Sequence, residues 1–150
     1  MRSALCLGRW LFVGLFFYQS AAADWTRIAT YNLHNYLVMD RQVAGVWRPA
    51  YPKPEAEKAM LREVIAAARP DILLLQEIGE APFLAELRAD LALDGHEYPC
   101  AIHLRGADAV RHLAVLSKRP PCTVVKHQDL SFNYLGRREY VRRGMLELGF

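Results

Sequence analysis

The chain has 150 residues, 53% of them hydrophobic, with three cysteines and a formal net charge of +3. That length and apolar content suffice for one domain with a real core. They exclude a repeat array, a low-complexity chain and a basic nucleic-acid-binding tail, and the cysteine spacing does not suggest a zinc site.

Residues 1–23 read as an export signal. Arg2 and Arg9 supply a positive start, Leu11 to Tyr18 a short apolar run, and Ala21-Ala22-Ala23 a small-residue cleavage site, with the cut expected after Ala23. The run is too short to span a bilayer comfortably; an uncleaved N-terminal anchor is the alternative reading. Cys6 lies before the run, where a lipid-attachment cysteine would not be expected. The expected location is therefore secreted or periplasmic, with residues 24–150 as the folded part. Export permits a disulfide between Cys100 and Cys122, which both sit near predicted strand ends, but sequence does not decide the pairing. Charge is uneven, net negative over residues 24–99 and net positive over residues 100–150. The basic second half could face phosphate or be a solvated face.

Residues 25–31 read as the first strand, with Ile28 and Thr30 branched at Cβ. Residues 37–53 read as a long connection holding Trp47, Arg48, Pro49 and Pro52, and long loops in compact domains are often functional. Residues 54–68 read as a helix. Pro54 suits its first turn, Glu55 and Glu57 suit its positive end, and Met60, Val64 and Ala67 or Ala68 recur at helical spacing. Pro70 disfavours helical geometry at Arg69, so the helix should stop there. Residues 71–76 read as the second strand, apolar on both faces from Ile72 to Leu75 and so covered on both sides. Gln76 and Glu77 come where that strand leaves the core. A carboxylate on the rim of a sheet suits a hard divalent cation. The strand–helix–strand order points to an α/β domain. Residues 82–91 read as a second helix, with Leu84, Leu87 and Leu91 on one face. Residues 98–103, 113–116, 123–127, 138–141 and 145–150 read as strands whose short spacing favours an antiparallel portion.

Four segments in this order carry a resemblance: RIATYNLHNYL with Asn32 near a strand end, RPDILLLQE ending at Glu77, HLAVLSKRP from His112, and REYVRRGMLELGF from Arg138. Together they resemble the endonuclease/exonuclease/phosphatase superfamily, which includes exonuclease III-like, pancreatic deoxyribonuclease-like and sphingomyelinase-like enzymes. The resemblance spans roughly residues 25–150. It implies a four-layered α/β sandwich, with two mixed sheets at the centre and helices outside. It also implies a hydrolase of phosphodiester or phosphomonoester bonds that depends on Mg2+ or Mn2+. By position it gives Glu77 the role of metal ligand, and Asn32 the role of orienting metal and phosphate.

The chain departs from the family pattern in two ways. The Asp-x-Asn element and the final Asp-His pair are absent, so the residues present are expected to be the front part of a C-terminally truncated domain. The general base and the remaining metal carboxylate would then lie outside them. Some members also place an Asp two residues after the strand Asn; here that position is His34. His34, Arg105 and Arg143 are the candidate phosphate-binding residues. Asn35, Gln76 (an orienting neighbour), His103, His112 and Arg142 are weighed beside them, and each could equally be turn or edge-strand polarity. The expected activity is an exported nuclease or phosphodiesterase acting on a phosphodiester, nucleic acid included, with no protein partner evident. A phospholipid or inositol-phosphate hydrolase is the nearest rival, and a catalytically inactive fragment or binding-only module the other.

Overall fold

The apolar run after Pro70 becomes the central strand of the structure. The computed structural model describes residues 25–150; the expected export signal, its expected cleavage site and Cys6 lie outside the described residues. The first strand, β1 (Ile28–Tyr36), leads through a hairpin, β2 (Met39–Val43) and β3 (Val46–Tyr51), into helix α1 (Glu55–Ala68) and then β4 (Ile72–Ile78). Helix α2 (Ala81–Leu93) follows, then β5 (Cys100–Leu104) and β6 (His112–Ser117). Three ribbon pieces complete the order: β7 (Thr123–His127), the hairpin β8 (Ser131–Tyr134) and β9 (Arg137–Tyr140), and β10 (Met145–Gly149). The main sheet runs β1-β4-β6-β5, with β1 parallel to β4 and the other pairs antiparallel. It is an α/β sandwich with a mixed sheet, as expected.

Register sorts the sheet into two faces. Leu73 pairs with Ala29 and Leu116, and Leu75 with Tyr31 and Ala114. These residues pack with Leu61 and Ile65 of α1 and with Leu84, Leu87 and Leu91 of α2 in one core. The opposite face carries Leu74, Gln76, Leu113 and Val115. The start of β10, which pairs with β7, borders it, leaving an open cleft of about 230 Å³ between those residues and Gly144, Met145 and Leu146. The helix face of the strand is fully covered at Leu73 and Leu75, and the opposite face only partly, with Leu74 and Gln76 half-buried.

Several elements differ from expectation. The connection over residues 37–53 is a hairpin, closed by Ala44 and Gly45 at φ 49° and 80°. Two successive left-handed residues match the strand twist of a two-residue turn, and Pro49 is accommodated in a strand paired on one side only. Helix α1 keeps its predicted span but buries a different stripe. Lys58, Leu61 and Ile65 face inward while Met60 and Val64 are exposed. The two stripes are adjacent on the helix, and Lys58 is drawn in by Glu86 and by the Tyr36 ring 5.4 Å away. The α2 face of Leu84, Leu87 and Leu91 is buried as read. Strand β8 was not anticipated; Leu135 and Gly136 turn it back onto β9 at φ 47° and 73°. Cys100 and Cys122 are free thiols. Among the described residues no helix is long and apolar enough to cross a membrane.

Candidate functional site

Parallel strands β1 and β4 bring their ends side by side, with Asn32 opposite Gln76 in the register. Both strands break their ladders at once. The β1 pairing slips between Asn32 and Tyr36, where His34 and Asn35 take φ of 49° and 61°. The pairing of β4 with β6 slips between Gln76 and Ile78, and Glu77 between them takes φ 60°. A left-handed conformation costs a side-chain-bearing residue about 1–2 kcal/mol. Such an extra residue in a strand re-aims its side chain out of the ladder.

The Glu77 carboxylate, one-fifth exposed, faces a fixed cation: its Oε1 lies 3.8 Å from Nη1 of Arg143. Arg143 is held from its other side by Asp108, whose Oδ2 is 3.2 Å from Nε. Asp108 also accepts hydrogen bonds from the backbone N–H groups of Val110 and Arg111 at 2.9 and 3.0 Å. Burial opposes its ionisation. The two backbone amides and the guanidiniums of Arg143 and Arg111 outweigh burial and hold the carboxyl below the usual carboxylate range. A backbone latch fixes this arrangement, because the Asp108 N–H donates to Arg142 O at 2.7 Å. A Cβ on Gly106 would meet backbone atoms of Arg142 and Arg143 at 2.6–2.8 Å, so the approach requires glycine.

The irregular end of β1 is tied down separately. Arg111 Nε donates to Asn35 Oδ1 at 2.7 Å. The buried Lys53 donates to His34 O and to Glu57, each at 2.9 Å. The Asn32 side-chain oxygen accepts from the His34 N–H at 2.9 Å, and Gln76 donates to Thr30 Oγ1 at 2.6 Å.

Of the residues singled out from sequence, Asn32, Gln76 and Glu77 end on neighbouring strands, and Arg143 meets Glu77. His34 is exposed and contributes its backbone to the turn. Asn35 serves as an acceptor for Arg111. Arg105 does not join the Glu77 pair: its guanidinium lies 3.5 Å from Glu80. His103 and His112 gather at the same place, their rings 5.1 Å apart. His103 Nε2 lies 2.9 Å from Gly79 O, and the fully buried His112 lies 3.5 Å from Glu80. Burial holds the His112 imidazole below its ordinary range against the pull of Glu80. Arg142 is exposed, and its carbonyl accepts the latch bond.

Asp108, Arg111 and Lys53 escaped the sequence reading. The Gly-Ala-Asp turn could have flagged Asp108, since Asp bonds the backbone two residues on in such turns. The link from Arg111 to Asn35 leaves no local trace, because the partners are 76 residues apart.

The donor chemistry fits a hard cation in part. Glu77 and Asn32 offer oxygen ligands, as Mg2+ and Mn2+ prefer, and Mg2+ is commonly bound through one or two carboxylates plus waters and substrate phosphates. Among the described residues no group of three or more His, Cys, Asp or Glu is placed to hold a metal by itself.

A family model described as the Endonuclease/Exonuclease/phosphatase family matches residues 29–144. The match begins inside β1, ends just before β10, and includes Asn32, Glu77, Asp108 and Arg143. No curated protein matches the chain.

Proposed function

The chain belongs to the endonuclease/exonuclease/phosphatase family, and from that premise we propose that it is an exported, divalent-metal-dependent phosphoesterase of the nuclease or phosphodiesterase kind. The observation that carries the reading is the pairing of a strained, ladder-breaking Glu77 with the Arg143 guanidinium, itself paired with Asp108, beside the end of β1 at Asn32. Strain at a side-chain-bearing residue persists where surrounding structure over-determines it, and such residues cluster at functional sites.

Glu77 and Asn32 would hold Mg2+ or Mn2+, which neutralises phosphate charge and lowers the pKa of a bound water. Arg143 offers its planar fork to a non-bridging phosphate oxygen. Asp108 pairs with that fork through Nε and leaves its other N–H groups to meet phosphate. In the absence of phosphate, Glu77 serves as the counter-charge of Arg143. Asn32 Oδ1 accepts the His34 N–H with one lone pair and keeps the other for the cation, while its amide N–H groups would donate to substrate oxygens.

The test is hydrolysis of bis(4-nitrophenyl) phosphate by the mature protein in Mg2+, Mn2+ or EDTA. Turnover that needs the metal and falls by at least about a hundredfold in Glu77→Gln supports the reading. Turnover that survives EDTA, or survives in Glu77→Gln, sinks it.

A further inference from the structure

We infer that the β8–β9 ribbon is an arm that holds single-stranded nucleic acid leading into the Glu77–Arg143 site, an inference that rests on the phosphoesterase reading above. Among the described residues β8 and β9 pair only with each other, and seven of their eight residues are exposed. A lone two-stranded ribbon is marginal in water, and apolar side chains on it would ordinarily be the first to be covered. Here Phe132 is 51% exposed, Tyr134 60%, Tyr140 48%, and Leu135 at the tip 85%.

The register arranges these side chains as a platform. Tyr134 pairs with Arg137 and Phe132 with Glu139, so two aromatic rings, an arginine and a glutamate share one face, with the arginine at the tip end beside Tyr134 and the acid toward the base. Alternate residues on a strand stand about 7 Å apart, enough for each ring to take a separate base. On the other face the Arg138 guanidinium lies 6.0 Å over the Tyr140 ring and donates to Ser131 Oγ. From residue 131 to 143 the chain carries four arginines, Arg137, Arg138, Arg142 and Arg143, against the single acid Glu139. Exposed rings interleaved with arginines match a strand of nucleic acid, whose bases stack on aromatic faces while its phosphates meet cations. A bilayer would call for a broader apolar tip; here Leu135 stands beside Gly136 and Arg137.

Continuity with the site gives the ribbon its direction. Val141 bonds Leu130 at the base of the hairpin, and two residues later Arg143 lies 3.8 Å from Glu77. A polymer lying along the ribbon would have its next phosphodiester delivered to Arg143.

The test compares the mature protein with Phe132→Ala/Tyr134→Ala and Arg137→Gln/Arg138→Gln, both confined to a ribbon that packs on no core. Binding of a fluorescein-labelled oligothymidylate is followed by anisotropy in EDTA, across a salt series. The aromatic variant should lose about tenfold or more in affinity. The arginine variant should lower the slope of log K against log salt by about 1.4. Both should keep the parent kcat/KM on bis(4-nitrophenyl) phosphate. Parent-like binding by both variants overturns the inference. So does a parent protein that ignores the oligonucleotide but binds phosphatidylglycerol vesicles through the same residues. If oligonucleotide binding behaves as stated while the parent fails to hydrolyse the small phosphodiester, the ribbon assignment stands and the hydrolase reading falls.

Discussion

Replacing Glu77 by glycine, alanine and glutamine separates what the residue does for the fold from what it does for chemistry. At φ 60° a residue with a Cβ is held in a conformation that costs about 1–2 kcal/mol. Glycine escapes that cost but loses about 0.5–1 kcal/mol more chain entropy on folding. The difference favours Glu77→Gly over Glu77→Ala by about 0.5–1 kcal/mol. The contact of Glu77 with Arg143 is 3.8 Å long and partly exposed, so its loss should cost no more than about 0.5 kcal/mol after solvent screening. The glycine variant should therefore unfold close to the parent and about 2–4 °C above the alanine variant. Metal-dependent turnover should vanish in all three. Thermal unfolding in EDTA, followed by circular dichroism, measures the order. An alanine variant as stable as the glycine variant would mean that Glu77 is not held in the left-handed conformation, and the argument from strain would fail.

Other substitutions probe the parts that hold the site. Gly106→Ala should push the residue 105–111 loop from the backbone of Arg142 and Arg143, lowering stability by about 1–3 kcal/mol and phosphodiester turnover with it; urea unfolding and the small-substrate assay read both. Lys53→Ala leaves the His34 carbonyl without its donor, which should cost about 1–3 kcal/mol in the same unfolding measurement. The folded carboxyl of Asp108 lies below its unfolded value. Its contribution is therefore complete at neutral pH and fades as pH falls from about 4 through the folded pKa. Asp108→Asn should show a shallower loss of stability over that acid window than the parent, and an unchanged acid limb would contradict the assignment.

Legibility followed the range over which each feature is determined. The residue 72–78 strand and the leucine face of α2 were readable because burial writes continuous or periodic apolar patterns into short windows. Asn32 and Glu77 were linked by the family resemblance, and the parallel pairing of β1 with β4 sets those two strand ends side by side. The β2–β3 and β8–β9 hairpins were obscured because Ala44 and Leu135 occupy left-handed turn positions where Asn or Gly would have signalled a turn. Helix α1 offered two neighbouring apolar stripes, and only the packing against β1 and α2 chose Leu61 and Ile65. The Asp108–Arg143 and Arg111–Asn35 contacts join segments far apart in the chain, so residue type alone could not reveal them. The proximity of Arg105 to Glu80 likewise left no trace in a short window of sequence.

The measurement that bears most directly on the central claim is a Mn2+ titration of the protein spanning residues 24–150 followed by electron paramagnetic resonance, in parallel with Glu77→Gln. The account predicts that the free-Mn2+ signal is suppressed by a site in the parent, and that this suppression is weakened at least about tenfold in a Glu77→Gln protein with unchanged circular dichroism. Equal Mn2+ binding by the two proteins, or none by the parent, would contradict it.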